Sequence, residues 1–358
     1  MSGLGRAATW TAAVMAALAA LALGALLWPF GGAAPQPWTP PPAPALEGSY
    51  ARNEALAAAS RIEVGGRGPE DVAVAPDGAL YTGVADGRIV RLRAGRPPET
   101  FVTTGGRPLG LRFGADRVLY VADAERGLLA VSPAGGVEVL ARAHAGIPFG
   151  LTDDLDVAAD GTVYFTDASS RVGLGHSVRD VVEQHPTGRL LAYHRDRGVR
   201  LLHDGLSFAN GVALAADESY LLVVETARYR LRRCWLRGER AGHCDVMAAN
   251  LPGFPDGVTR GSRGTFWVAL VSPRNALLDR IHPYPRLKRA LLRLPDAVRP
   301  GPRAYGFVLG IEGDGRVVHN LQDPAGQAAA FVTNAVEHEG HLYLGSLERD
   351  ALARVPRP

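Results

Sequence analysis

Between residues 71 and 92 apolar and polar positions alternate with a period of two, broken only at short turn signals. Asp71-Val72-Ala73-Val74-Ala75 reads as a strand, Pro76-Asp77-Gly78 as a turn, and Leu80-Tyr81-Thr82-Gly83-Val84 as a second strand. Asp86-Gly87 turns the chain again into Arg88–Leu92. A later segment copies this layout: Leu155-Asp156-Val157, Asp160-Gly161, Val163-Tyr164-Phe165-Thr166, then Gly188 onward to Tyr193. Further copies open at Asn210-Gly211-Val212-Ala213-Leu214 and at Asp256-Gly257-Val258-Thr259. The last runs from Val336 through Glu339-Gly340 and Leu342–Ser346 to residues 351–355.

These copies share one register. Glu70 lies ten residues before Leu80-Tyr81, Asp153 ten before Val163-Tyr164, Asn210 ten before Tyr220-Leu221 and Asp256 ten before Phe266-Trp267. Leu109 precedes Leu119-Tyr120, and Val332 precedes Leu342-Tyr343, at the same offset. Six short-strand units at a period of roughly 40–45 residues predict an all-β, six-bladed β-propeller. An N-terminal strand near residues 61–64 is expected to complete the blade begun by the C-terminus. In a ring, Glu70, Asp153, Asn210 and Asp256 converge on the axis. Several carboxylates brought together repel, and a shared cation is the simplest way to hold them. The Asp-Gly pairs inside the blades are turn residues. Insertions at residues 169–187 and 272–305 lengthen the third and fifth blades. In the second, Leu287, Ala290, Leu291 and Leu294 fall on one predicted helical face, with Lys288, Arg289 and Arg293 elsewhere. This reads either as a helix packed on the rim with a solvated basic face, or as a lid or a surface for anionic lipid.

Composition narrows the function. The chain has 358 residues, is 47% hydrophobic, and carries a net charge of +3. The excess sits in residues 273–305, with eight Arg or Lys against two Asp, while the remainder has 31 against 34. No basic stripe crosses the fold, so nucleic acid is not an expected partner. Residues 7–28 contain no charge, a length that suits a bilayer-spanning helix. The expected layout is a cytoplasmic stub (1–6), a transmembrane signal anchor (7–29), a stiff Pro-rich linker (30–50) and an extracytoplasmic propeller (51–358). A cleaved signal peptide is the rival, although Pro35 directly follows the small residues at 32–34. Cys234 and Cys244 flank a glycine-containing turn, and either a disulfide or two unpaired thiols fits.

Five segments carry a family resemblance. Gly68-Pro69-Glu70-Asp71-Val72, Phe208-Ala209-Asn210-Gly211-Val212 and Leu251-Pro252-Gly253-Phe254-Pro255-Asp256-Gly257-Val258 resemble the strictosidine synthase-like proteins, including their membrane-associated branch. So do Val163-Tyr164-Phe165-Thr166-Asp167-Ala168-Ser169-Ser170 and Glu337–Ser346. The wider superfamily includes gluconolactonase/regucalcin, paraoxonase and diisopropyl fluorophosphatase. Its hydrolases hold a catalytic divalent metal, usually calcium, with a Glu, one or two Asn and an Asp. Residue by residue, the resemblance implies Glu70, Asp153, Asn210 and Asp256 as metal ligands. Asp256 is implied, by analogy, as the base toward an attacking water. Hard oxygen donors suit Ca²⁺ or Mg²⁺, and an open water position lets such a metal polarise an ester or lactone carbonyl. The rival reading is a metal that only pins the blades of a binding or scaffold protein.

The departures from the family matter too. Strictosidine synthase has a catalytic Glu where this chain has Thr333, which argues against amine–aldehyde condensation. Paraoxonases carry a His where this chain has Leu109. Asp153 replaces the usual Asn and adds negative charge. Leu109, Val332 and Thr333 are expected to line the tunnel, and Glu337 and His338 read either as groups at its mouth or as a buried, satisfied pair. Asp167 is expected to point away from the axis. His338-Glu339-Gly340-His341 has the wrong spacing for a zinc protease motif, and no Gly-x-Ser-x-Gly elbow or Cys-x-x-Cys is present. The combined expectation is a membrane-anchored, metal-dependent lactone or ester hydrolase, with a small-molecule substrate as its partner.

Overall fold

Short β-prone runs separated by Gly-containing turns fold as consecutive antiparallel hairpins in the computed structural model, which describes residues 15–16, 24, 33–295, 299 and 301–358. The larger of two compact units comprises Pro41–Val181, Pro186–Arg274 and Pro302–Pro358. It contains six four-stranded sheets. The first is β2 (Ala73–Val74), β3 (Leu80–Gly83), β4 (Arg88–Leu92) and β5 (Glu99–Thr103), and the second β6 (Pro108–Phe113), β7 (Leu119–Asp123), β8 (Gly127–Val131) and β9 (Val137–Ala141). After a small hairpin, β10 (Ala143–His144) and β11 (Ile147–Pro148), the third is β12 (Thr152–Val157), β13 (Val163–Asp167), β14 (Gly188–His194) and β15 (Gly198–Leu206). The fourth is β16 (Ala209–Leu214), β17 (Tyr220–Glu225), β18 (Arg230–Trp235) and β19 (Cys244–Ala248). The fifth is β20 (Gly253–Arg260), β21 (Thr265–Pro273), β22 (Gly306–Glu312) and β23 (Val317–Asp323). The sixth combines β24 (Val332–His338), β25 (His341–Ser346) and β26 (Ala351–Pro356) with the N-terminal β1 (Ser60–Glu63). Ser60 pairs with Arg354 and Glu63 with Ala351, so both ends of the ring lie in one sheet.

This is the expected six-bladed propeller. First strands of successive blades contact one another from β2 through β6, β12, β16 and β20 to β24. The Asn334 side chain then donates to Asp71 Oδ1 at 2.6 Å, joining the last blade to the first. Apolar side chains fill the spaces between sheets. Tyr81, Leu111, Leu119 and Val131 pack between the first two blades, and Trp267, Val308, Leu342 and Leu344 between the last two.

The period-two reading misses a break common to five first strands. The ladder shifts between Pro108 and Leu111, Thr152 and Leu155, Ala209 and Val212, Pro255 and Val258, and Val332 and Ala335. Each break is a bulge of two residues, and bulges re-aim side chains. The first of the two is Leu109, Asp153, Asn210, Asp256 or Thr333. The ring position of the last blade is therefore Thr333, not Val332, which packs in the apolar cluster between the last two blades. The offset fails there because Glu339 and Gly340, both at positive φ, make a tight two-residue turn. That turn shortens the hairpin by one residue.

The second residue of each break faces the next blade. Where that residue is Gly, no side chain fits. A Cβ on Gly257 would stand 2.5 Å from Thr333 O, one on Gly110 would stand 2.7 Å from Asp154 Cα, and one on Gly211 would collide with the Val258 amide. Cys234 and Cys244 are register partners on β18 and β19 and form a disulfide, settling the alternatives left open by their spacing.

The other unit comprises Met1–Pro40, Val182–His185 and Asn275–Gly301. Among the described residues it holds the helices α2 (Ala276–Ile281) and α3 (Pro285–Arg293), and α1 (Ser177–Glu183) ends within it. Asn275 caps α2 by accepting from the Leu277 and Leu278 amides, and Pro285 starts α3 where its missing N–H costs nothing. The expected apolar face of this insertion is buried at Ala290 and half-buried at Leu291 and Leu294, but not at Leu287. Lys288 is 0% exposed and Leu287 is 45% exposed. Burial of the lysine is tolerated because its ammonium donates to Gln36 O at 2.5 Å and Glu183 O at 3.5 Å. Residues 33–40 are thus bonded to the insertion rather than forming a free spacer; Gln36 N also reaches Glu183 O at 2.7 Å. The transmembrane segment expected at residues 7–29 lies outside the described residues except Met15, Ala16 and Gly24. Among the described residues no helix is long and apolar enough to cross a membrane.

Gly211→Ala should cost about 1–3 kcal/mol in chemical denaturation, because its methyl must displace backbone of the adjoining blade. Gly175→Ala, with nothing within 4 Å of the new Cβ, should stay within about 0.5 kcal/mol of wild type. Equal stability of the two variants would refute the close-approach argument.

Candidate functional site

One residue from each blade lines a cavity of ≈ 20 Å³ on the ring axis: Glu70, Leu109, Asp153, Asn210, Asp256 and Thr333. That volume holds about one water-sized occupant. The residues following them, including Asp71, Asp154 and Asn334, complete the lining. The four oxygen-bearing residues singled out from the repeat are therefore brought together, with Leu109 and Thr333 beside them.

The three carboxylates have unequal surroundings. Glu70 Oε2 accepts from Arg107 Nη2 at 2.8 Å, an ion pair whose side chains are 14% and 8% exposed. The same Arg107 nitrogen donates to Gly68 O at 2.8 Å. Burial nevertheless raises the Glu70 pKa, with Arg107 opposing and Asp71 reinforcing the shift. Asp256 accepts from the Asn210 side chain, yet burial first and the Glu70 charge second hold its carboxyl well above the usual range. Asp153 is also pushed well above it, by burial and then by the charges of Asp256 and Glu70. No donor or cation meets the Asp153 carboxylate among the described residues, although Asp153 and Asp256 both border the cavity.

Beneath the cavity runs a belt of polar groups. Asp71 accepts from the amides of Val72 (2.7 Å) and Leu111 (2.9 Å), the latter on the next blade. Asp154 accepts from Leu155 N (2.8 Å) and, on the next blade, from Val212 N (3.0 Å). Burial and the neighbouring Asp71 push the Asp154 pKa up to about 8. Arg112 stands 3.9 Å from Asp71 and 3.8 Å from Asp156, whose second oxygen accepts from Leu214 N. These groups tie blades together and offer little free donor capacity to a ligand.

Several expectations are revised. Of the two readings for Glu337, its partners match the satisfied one, and it does not border the cavity. It accepts from Trp267 Nε1 (3.0 Å) and Ser262 N (3.1 Å) and pairs with Arg357 (3.2 Å). Those donors outweigh its burial and hold its pKa below the ordinary value. His338 lies on β24 beside Tyr343 and borders no part of the cavity. Thr333 does border it, but its hydroxyl is occupied in donating to Glu70 O at 2.7 Å. Asp167 points away from the axis as expected, accepting from Gly150 N, Leu151 N and the Arg189 guanidinium. Arg107 was missed. Its one signal is position: it lies two residues before Leu109, the apolar member of the ring.

Among the described residues no three His, Cys, Asp or Glu are gathered into a metal-binding group. The donor set still fits a hard divalent cation. Three carboxylates and an amide oxygen face one cavity, and Arg107 offsets only one negative charge.

Comparisons with known proteins give the same setting. The family described as Strictosidine synthase matches residues 153–239, and Strictosidine synthase-like, N-terminal, matches residues 48–92. An adipocyte plasma membrane-associated protein from Salmo salar is 37% identical over 87% of this chain and 81% of its own length. Protein strictosidine synthase-like 10 of Arabidopsis thaliana is 37% identical over 79% of this chain and 83% of its own. Among solved structures, a gluconolactonase from Xanthomonas campestris superposes with a TM-score of 0.63 at 18% identity, covering 92% of this chain and 99% of that one. A calcium-binding regucalcin from Agrobacterium tumefaciens superposes with a TM-score of 0.58 at 14% identity, covering 82% and 92%. At these identities the structural matches establish the shared fold.

Because Asp153, Asp154 and Asp256 keep their protons in the folded chain to higher pH than in the unfolded one, deprotonation favours unfolding. Stability in chelator should therefore fall as pH rises from about 5 to about 8, above the ordinary carboxylate range. Added Ca²⁺ should flatten the decline. Melting temperatures that are constant or rising across that window in chelator would contradict the assignment.

Proposed function

The chain belongs to the strictosidine synthase-like family that includes the adipocyte plasma membrane-associated proteins, and on that premise we propose that it is a divalent-cation-dependent hydrolase of lactones or carboxylic esters. The observation that carries this reading is that three acidic side chains, Glu70, Asp153 and Asp256, face one small axial cavity with Arg107 as a partner to only one of them. The gluconolactonase on the same fold supports the substrate class, and the calcium-binding regucalcin supports the cation.

Glu70, Asp153, Asn210 and Asp256 would hold the ion, Ca²⁺ or Mg²⁺. When bound, such an ion supplies polarisation of the substrate carbonyl and charge for the oxyanion that forms. The remaining work belongs to side chains. Asp256, oriented by the Asn210 amide, accepts the proton of the attacking water. Arg107 fixes one Glu70 oxygen and so leaves the other to face the cavity. Leu109 gives an apolar wall against which an aliphatic or aromatic ester can rest. Thr333 offers no carboxylate, and its hydroxyl is engaged, so general-base condensation of an amine with an aldehyde has no residue to drive it.

A second reading has its own support. At ≈ 20 Å³ the cavity itself matches an ion or a water. A bound ion would then brace a binding or scaffold propeller. The relatives named for the plasma membrane support association with a membrane, with residues 7–29 as anchor and the propeller extracytoplasmic.

Purified protein should hydrolyse members of a lactone and aryl-ester panel in Ca²⁺, and chelator should abolish turnover. Asp256→Ala should lower the rate by about 10²–10⁴-fold and reduce metal occupancy. Tightly retained metal without turnover on any substrate would favour the scaffold. Unchanged occupancy and activity in Asp256→Ala would sink the site.

A further inference from the structure

The insertion between β21 and β22 buries a charged residue and exposes apolar ones beside it. In α3 the sole lysine, Lys288, is 0% exposed, while Leu287 beside it is 45% exposed. Tyr284, the residue before that helix, is 57% exposed, and Leu277 on α2 is 51% exposed. Large apolar side chains at that exposure on two short helices cost hydration free energy in water. Burying a lysine in their place costs more, and is possible here because Gln36 O and Glu183 O accept hydrogen bonds from its ammonium. Lys288 thus takes a buried place beside Leu278 and Ala290, while Leu277, Tyr284 and Leu287 stay outside.

The charges around those residues favour one occupant. Arg280 and Arg286 are exposed, and Arg289 and Arg293 are part-exposed, against Asp279 as the one acidic residue of both helices. Leu and Tyr set among arginines are the composition of a segment that rests in a membrane interface, with aromatic and aliphatic groups in the headgroup layer and guanidinium groups on anionic lipid. Covalent reach points the same way. Arg289 Nε donates to Ala33 O at 3.2 Å. Only five residue steps separate Ala33 from Trp28, the last residue of the uncharged stretch, so the hairpin lies within roughly 18 Å of that stretch's end along the chain.

We propose that the α2–α3 hairpin is a membrane-contact surface, in which Leu277, Tyr284 and Leu287 enter the interface of an anionic bilayer and Arg280 and Arg286 pair with its lipid phosphates or carboxylates. The tether argument rests on the anchoring reading given above; the exposure and charge of the hairpin do not. The contact holds the hairpin at the bilayer surface. It adds a second attachment whose strength depends on lipid charge.

The test uses the full chain with a polarity-sensitive fluorophore on Leu287→Cys, since both native cysteines are in a disulfide. Val246→Cys, at a residue 46% exposed on β19, is the control. In phosphatidylcholine vesicles containing phosphatidylserine, the Leu287 label should shift to the blue and lose severalfold of its quenching by aqueous iodide. The Val246 label should stay in water. Arg280→Glu/Arg286→Glu should restore quenching at Leu287. A Leu287 label equally open to iodide with and without anionic vesicles would overturn the proposal, as would equal shielding in neutral vesicles. Shielding before any vesicle is added would indicate a second copy of the chain and overturn it too. Alkaline carbonate extraction reads the anchor separately. A chain retained after extraction with an aqueous Leu287 label has the anchor and lacks the contact, and a chain released after showing a shielded label has the reverse.

Discussion

Five first strands break their ladder where a side chain turns toward the axis, and the polar groups released by that break must find partners inside the protein. This constraint organises the ring. Asp71 and Asp154 meet it by each accepting one amide from their own strand and one from the next blade. Asn334 accepts from Ala335 N at 2.9 Å and donates across to Asp71. In the other three blades the same place is Gly110, Gly211 or Gly257, and the neighbouring blade fills the space a side chain would take. The device that joins blades is therefore the one that aims Asp153, Asn210 and Asp256, while Glu70 sits just ahead of β2 beside Asp71. Site and scaffold cannot be separated.

The same economy governs charge. Carboxylates with structural duties have donors at hand: Asp123 accepts from Arg107 N, Glu125 N and Arg126 N, and Asp323 accepts from Gly326 N, Ala328 N and Ala329 N. Asp167 has the Arg189 guanidinium, and Glu225 has Arg230. Buried carboxylates supplied in this way are expected. Asp153 is the exception, and Asp256 has only an amide. Among the described residues, the gathering of carboxyls short of donors at one point is what sets the axial cavity apart.

Blade number, ring closure and the axial residues were legible in the sequence because a propeller repeats one local pattern, and its turn residues announce the period. What escaped depends on features that period does not encode. The Glu339–Gly340 turn removes one residue, so counting back from Leu342 lands on Val332 rather than Thr333. Glu337 had two readings because its partners, Ser262 and Trp267, come from another blade. Arg107 breaks no pattern in its own strand and gains meaning only when Glu70 arrives from the preceding blade. The helical periodicity of the insertion pointed to Leu287 as buried and Lys288 as solvated, and the carbonyls of Gln36 and Glu183 reversed that order. Periodicity carries no information about acceptors supplied from distant sequence.

Lys288 has a chemical consequence of its own. Every other basic side chain that carries a fixed charge is an arginine, whose guanidinium is a poor nucleophile at neutral pH. With its one lysine enclosed and hydrogen bonded, the described surface offers no primary side-chain amine. Acylating agents, among them strained lactones and activated esters, form amides with exposed lysines. A protein that concentrates such compounds would be slowly modified at those positions. This chain leaves them almost nothing to modify.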